Sequence, residues 1–161
     1  LSGLWGMYSG FEVCEAAALP GREEYLDAEK YEIRPRDYSM PGNIMAEIGQ
    51  LNRIRKAEPA LQSHTGLTFY NAYNDNILYY GKHAQGENAR ILVAVNLDPH
   101  HPQEATFEAP LWEWGLDDEK ALEARDLLSG HVSLWRGKVQ RLWLGTDRPY
   151  VIWRVAPART A

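Results

Sequence analysis

With 161 residues, 45% hydrophobic and 24% charged, the chain can hold one domain with a sizeable core, or one domain and part of another. It falls far short of the ~250 residues of a complete eight-fold β/α barrel. The formal net charge of -5 argues against a nucleic-acid partner, no apolar run approaches the ~18 residues of a membrane span, and the single Cys14 excludes an internal disulfide and fits a cytoplasmic, reducing compartment.

Residues 1–11 are small and apolar, with Trp5, Met7, Tyr8 and Phe11 between Gly3, Gly6 and Gly10, and read as one short buried strand. The strand begins at once with Leu1, as expected of a piece of a longer chain. Residues 12–42 show no clean period and are broken by Pro20-Gly21, Pro35 and Pro41-Gly42; a connection this long suggests a functional loop. Between residues 12 and 32 the seven acids Glu12, Glu15, Glu23, Glu24, Asp27, Glu29 and Glu32 face only Arg22 and Lys30.

From Asn43 the spacing turns helical. Ile44, Ile48, Leu51 and Ile54 form one stripe, Asn43 can cap the first turn, and Pro59 stops the helix. After Leu61 short β-rich runs alternate with turn residues, which predicts an all-β sandwich or barrel with strands near 67–73, 77–83, 90–97, 103–109, 122–128, 132–136, 139–144 and 150–155. The run Ile91-Leu92-Val93-Ala94-Val95 is apolar on both faces and is expected to lie centrally; Trp153 and Val155 are expected in the core.

Most common catalytic signatures are missing from this sequence. There is no Walker-type phosphate loop, no Gly-x-Ser-x-Gly elbow and no His-Glu-x-x-His. His100 and His101 sit in a Pro-flanked loop and read as solvated, while Cys14 has no basic neighbour in sequence and reads as buried and inert. Glu12 and Glu15 follow an apolar strand, where barrel enzymes place active-site groups, but two acids three residues apart on one loop do not reliably straddle a sugar ring. The tryptophans offer a different chemistry, an indole platform for sugar faces: Trp112 and Trp114 lie in an irregular segment and Trp143 faces away from Leu142 and Leu144. Packing is the commoner use of such residues.

The order of pieces over residues 1–62 is informative: Tyr8-Ser9-Gly10-Phe11-Glu12 closing a Gly-rich apolar segment, a long loop, Gly42-Asn43-Ile44, then Leu51-Asn52-Arg53-Ile54-Arg55-Lys56 and Pro59-Ala60-Leu61-Gln62. This resembles the eighth strand, loop and helix of the α-amylase-type barrel of glycoside hydrolase family thirteen. Within the loop, Glu24-Tyr25-Leu26-Asp27-Ala28-Glu29-Lys30-Tyr31-Glu32-Ile33-Arg34-Pro35-Arg36-Asp37 resembles the maltosyltransferases that extend α-1,4-glucans from α-maltose 1-phosphate. Val95-Asn96-Leu97-Asp98-Pro99 with Gln103, and Asp126-Leu127-Leu128-Ser129-Gly130, resemble the C-terminal sandwich of the same family.

The resemblance implies a mainly β chain: residues 1–62 as the last unit of a truncated TIM barrel, and residues 63–161 as an antiparallel β-sandwich of the amylase domain C type. It further implies a retaining transferase whose aspartate nucleophile, glutamate acid/base and third aspartate lie on strands before Leu1, so that this stretch alone is inactive. Lys30 and Tyr31 match the Lys-Tyr pair that contacts the donor; no catalytic residue, metal ligand or cofactor site is expected here. Arg34 and Arg36 add positive potential without an assigned role, and Ala28 stands where the pattern often has Ser. The implied partners are α-maltose 1-phosphate and an α-1,4-glucan, with self-association into a homodimer left open and neither nucleic acid nor membrane expected. Two alternatives stay open: another family member such as a trehalose synthase or amylase, and a non-catalytic carbohydrate-binding or docking sandwich.

Overall fold

A computed structural model describes residues 3–26 and 33–158. The chain forms two compact units, one of Trp5–Arg55 and a larger one that carries the strands and begins its long stretch at Lys56.

Among the described residues of the smaller unit the long element is a helix, α1, over Met45–Ala57, whose last two residues count with the larger unit. Asn43 caps it as expected, its Oδ1 accepting the Met45 N–H at 3.2 Å, and the first turn closes with Ile48 N donating to Ile44 O at 3.0 Å. The apolar stripe is only partly covered; Ile54 alone is buried. The strand expected over residues 1–11 does not form among the described residues. Gly3–Gly10 is irregular and runs into a 3-10 turn over Phe11–Val13. A strand is defined by its ladder, and among the described residues of this unit the one bridge, Ala18 to Tyr25, pairs two other residues.

The larger unit is an antiparallel β-sandwich, and all eight predicted strands are present. They are β1 (Leu67–Tyr70), β2 (Ile77–Lys82), β3 (Arg90–Asn96), β4 (Gln103–Glu108), β5 (Ala121–Asp126), β6 (Val132–Arg136), β7 (Val139–Leu144) and β8 (Tyr150–Pro157). Six make one sheet in the order β1-β2-β3-β8-β5-β6; β4 and β7 pair as a second, two-stranded sheet. The doubly apolar β3 lies inside the large sheet between β2 and β8, where both its edges are paired.

Alternation along each strand builds the core. Tyr79, Leu92, Ala94, Leu122, Ala124, Trp135 and Val155 from the large sheet meet Ala105, Phe107, Leu142 and Leu144 from the small one. Phe107 sits at the centre, edge-on to Tyr79 and Trp135 with centroids 5.0 and 5.4 Å away, and stacked on Trp153 at 5.7 Å. Val155 is fully buried and Trp153 partly so, as their alternation predicts. The other face of the large sheet is not left to solvent. Buried Lys82 donates its Nζ to Ser63 O, and Arg154 Nη1 pairs with buried Glu58 at 2.5 Å, so residues Glu58–Ser63 are tied across it.

Candidate functional site

The long loop of the smaller unit starts in a tight turn. Phe11 N donates to Tyr8 O at 3.1 Å, and Glu15 N and Val13 N both donate to Gly10 O, at 3.0 and 3.2 Å. This needs Gly10 in the left-handed region, with φ 106°. Cys14 closes the turn, also left-handed at φ 56°, and is exposed. The buried position expected for it is therefore wrong: the turn aims its side chain outward. Glu12 folds back on the same turn, Oε2 accepting Gly10 N at 3.0 Å, while its carbonyl accepts Ile44 N at 2.9 Å and joins the turn to the start of α1. A recess lined by Met7, Ser9, Glu12, Tyr38, Met45 and Ile48 results. It offers one carboxylate, one aliphatic hydroxyl and one phenol among apolar walls, a composition suited to a sugar.

Glu15 does something different from Glu12. Its Oε1 pairs with Arg34 Nη1 at 2.7 Å and its Oε2 with Arg36 Nε at 3.1 Å; Arg36 Nη1 also reaches Ser9 Oγ at 3.1 Å, and Arg34 Nη1 reaches Leu26 O at 3.2 Å. Pro35 explains the pairing: it holds the residue before it extended, and residues two apart on extended backbone project to one side. Between the partners a short hairpin runs through the Ala18–Tyr25 bridge, with Leu19 N on Glu24 O and Leu26 N on Ala17 O, both at 2.8 Å. Tyr25 stacks on Tyr8 with centroids 5.9 Å apart. The Arg34 contact thus joins two described residues, Leu26 and Arg34.

Lys30 and Tyr31, the donor-binding pair implied by resemblance, lie outside the described residues. The structure brings together Glu15, Arg34, Arg36 and Ser9, which residue-by-residue reading kept apart. The Arg-Pro-Arg spacing was the available signal; its carboxylate partner, about twenty residues upstream, had none. The clamp holds two guanidiniums on one carboxylate, in a stretch that is otherwise rich in acids.

The tryptophans separate into two groups. Trp135 is buried, Trp153 is partly buried and packs against the core cluster, and Trp114 is held by its Nε1 donating to Asn88 O at 2.7 Å beneath the Arg90 guanidinium, 5.1 Å from the ring centroid. Trp5, Trp112 and Trp143 are exposed. Among the described residues no three His, Cys, Asp or Glu side chains gather into a metal site, and no helix is long and apolar enough to cross a membrane.

Residues 69–152 match the family described as GLGE, C-terminal. The chain belongs to that family. Its similarity to known proteins extends beyond the matched segment. It is 61% identical over 157 residues to the alpha-1,4-glucan:maltose-1-phosphate maltosyltransferase of Pseudomonas aeruginosa, covering 96% of this chain and 23% of that protein. Proteins of the same name from Cereibacter sphaeroides and Burkholderia pseudomallei are 46% and 50% identical over 158 and 164 residues, covering 96% and 98% of this chain and 23% and 14% of theirs. The chain thus spans a quarter or less of these relatives. Among solved structures, an α-amylase from Geobacillus thermoleovorans complexed with acarbose superposes with a TM-score of 0.54 at 16% identity, over 77% of this chain and 25% of that one. That likeness shows the fold, an α-amylase-type β domain.

Proposed function

We propose that the protein carrying this chain transfers maltosyl units from α-maltose 1-phosphate to the non-reducing end of an α-1,4-glucan, in the cytoplasm. The observation that carries the reading is identity of 61% along 96% of the chain to a maltosyltransferase, loop and sandwich together. In this reading residues 1–62 are the last unit of a catalytic barrel and residues 63–161 its C-terminal sandwich. The carboxylates that break and form the glycosidic bond lie elsewhere in the protein, and this stretch recognises the donor.

Lys30 and Tyr31 are the residues assigned to that task. An ammonium provides a point charge and three donors for the phosphate, and a phenol can hydrogen-bond or pack against the sugar. The clamp supports the role in one way: Arg34 and Arg36, paired with Glu15, put two guanidiniums within a few residues of Lys30 in sequence, and guanidiniums favour an anionic ester.

The test is phosphate release from α-maltose 1-phosphate with glycogen as acceptor, in the full-length protein. Lys30→Ala is expected to lower kcat/KM by roughly 10- to 100-fold, the loss of one charged hydrogen-bond donor, with little change in melting temperature. Unchanged turnover by the variant would refute the donor role. Trehalose formation from maltose in place of phosphate release would assign the protein to a different reaction of the same fold.

A further inference from the structure

The outward face of the small sheet carries side chains that the transfer reaction leaves unused. Register sets Glu104 opposite Trp143, Thr106 opposite Arg141 and Glu108 opposite Val139. Because side chains alternate, these six point away from the core filled by Phe107 and Leu142. Trp143 and Val139 are 61% and 63% exposed, and Tyr73, at the rim, is 60% exposed. Tyr73, Glu104, Thr106, Arg141 and Trp143 together line a recess on this face.

The aromatic groups there are exposed yet held. A Cβ placed on Gly145 would come within 3.0 Å of Trp143 Cη2, so the indole lies directly against the glycine backbone. Tyr73 is fixed at both ends: its N–H donates to Asn71 Oδ1 at 2.9 Å, and its hydroxyl donates to Glu108 Oε1 at 3.3 Å. Rings ordered in advance lose little rotamer freedom when a ligand stacks on them.

The charges select the ligand. Glu108 is matched by Lys138 at 3.3 Å, while Glu104 and Arg141 have no ion-pair partner among the described residues. With Asp118, 3.8 Å from the same Lys138, three acids meet two bases, so the face has no positive surplus for an anionic polymer. Free carboxylate, guanidinium and hydroxyl groups beside fixed rings suit a neutral chain with apolar CH faces and many hydroxyls. From Trp143 to Val139 the strand runs about 13 Å, room for more than one sugar ring.

We propose that the outer face of β4 and β7 is a glucan-binding surface, with Trp143 and Tyr73 stacking on sugar rings and Glu104, Thr106 and Arg141 bonding their hydroxyls. It retains polymeric acceptor on the β unit. The identity of the polymer rests on the transferase reading above; the polyol chemistry of the face does not.

The experiment is native gel electrophoresis of the full-length protein through glycogen, run beside transfer assays onto glycogen and onto maltohexaose. Trp143→Ala and Tyr73→Ala are each expected to weaken glycogen affinity by roughly tenfold and to slow transfer onto dilute glycogen, with the maltohexaose rate and melting temperature unchanged. Trp143→Phe, which keeps a ring, is expected to restore part of the retention. Retention of Trp143→Ala equal to wild type, or a wild-type protein not retarded at all, overturns the surface. Retarded wild-type protein that releases no phosphate from α-maltose 1-phosphate leaves the surface standing and sinks the donor reading instead.

Discussion

Glu15 is the residue on which the loop turns. Both its oxygens are engaged, by guanidiniums 19 and 21 residues further on, and it accepts them from a position that only a bare Gly10 leaves open. A Cβ at Gly10 would overlap Glu15 Oε2 and would also have to sit at φ 106°, so Gly10→Ala opposes the clamp by sterics and by backbone strain together. Glu15→Ala removes the anion and leaves Arg34 and Arg36 facing each other. Either variant, in the full-length protein, is expected to raise KM for the donor more than it lowers kcat; an unchanged KM would show that the clamp does not serve donor binding. The acid itself was evident in the sequence. Its partners were not, because an ion pair across about twenty residues depends on how the chain closes and not on any local preference.

At the level of elements, the crossing from the large sheet to the small one shows how a short polar motif fixes a connection. After β3, buried Asn96 accepts the Asp98 N–H at 2.8 Å and donates to His101 O at 2.9 Å. Asp98 in turn accepts His100 N at 2.8 Å and His101 N at 3.2 Å, and its second oxygen takes Gln103 Nε2 and His101 Nδ1, each at 3.1 Å. The backbone N–H of His100, with the His101 contacts, holds the Asp98 carboxyl below the ordinary carboxylate range. A depressed pKa stabilises the fold above the unfolded value near 4 and loses that contribution as pH falls through the folded value. Asp98→Asn is therefore expected to lower the urea midpoint at pH 7, with the gap to wild type closing below about pH 4; a gap independent of pH would assign the effect to shape and not to charge. This motif was recognised in the sequence as part of a family resemblance, and the structure supplies its physical reason. All eight strands were likewise legible, since alternation and turn residues act over a few positions. The strand expected at residues 1–11 was not found because apolar, Gly-punctuated composition permits a strand, whereas a neighbouring ladder creates one.

For the molecule as a whole, stability of the β unit is concentrated where its two sheets meet. Phe107 is 1% exposed and in ring contact with Tyr79, Trp135 and Trp153, residues drawn from three strands of the opposite sheet. Phe107→Ala is expected to cost about 3–5 kcal/mol, read as a drop in urea midpoint at unchanged slope. A loss below about 1 kcal/mol would mean that the surrounding rings collapse into the space. The sequence marked a strand near 103–109, but the central position of Phe107 follows from pairing β4 with β7, a choice between distant strands.

Periodicity, turn chemistry and capping are properties of neighbouring residues, so the sequence by itself determined the helix from Asn43, the eight strands and the outward aim of Trp143. Which strands pair, what fills the space between the sheets, and which acids meet which arginines depend on contacts between residues far apart in the chain. Only the tertiary structure decided those, because the free energy that selects them comes from burial and charge pairing that do not exist until the chain has closed.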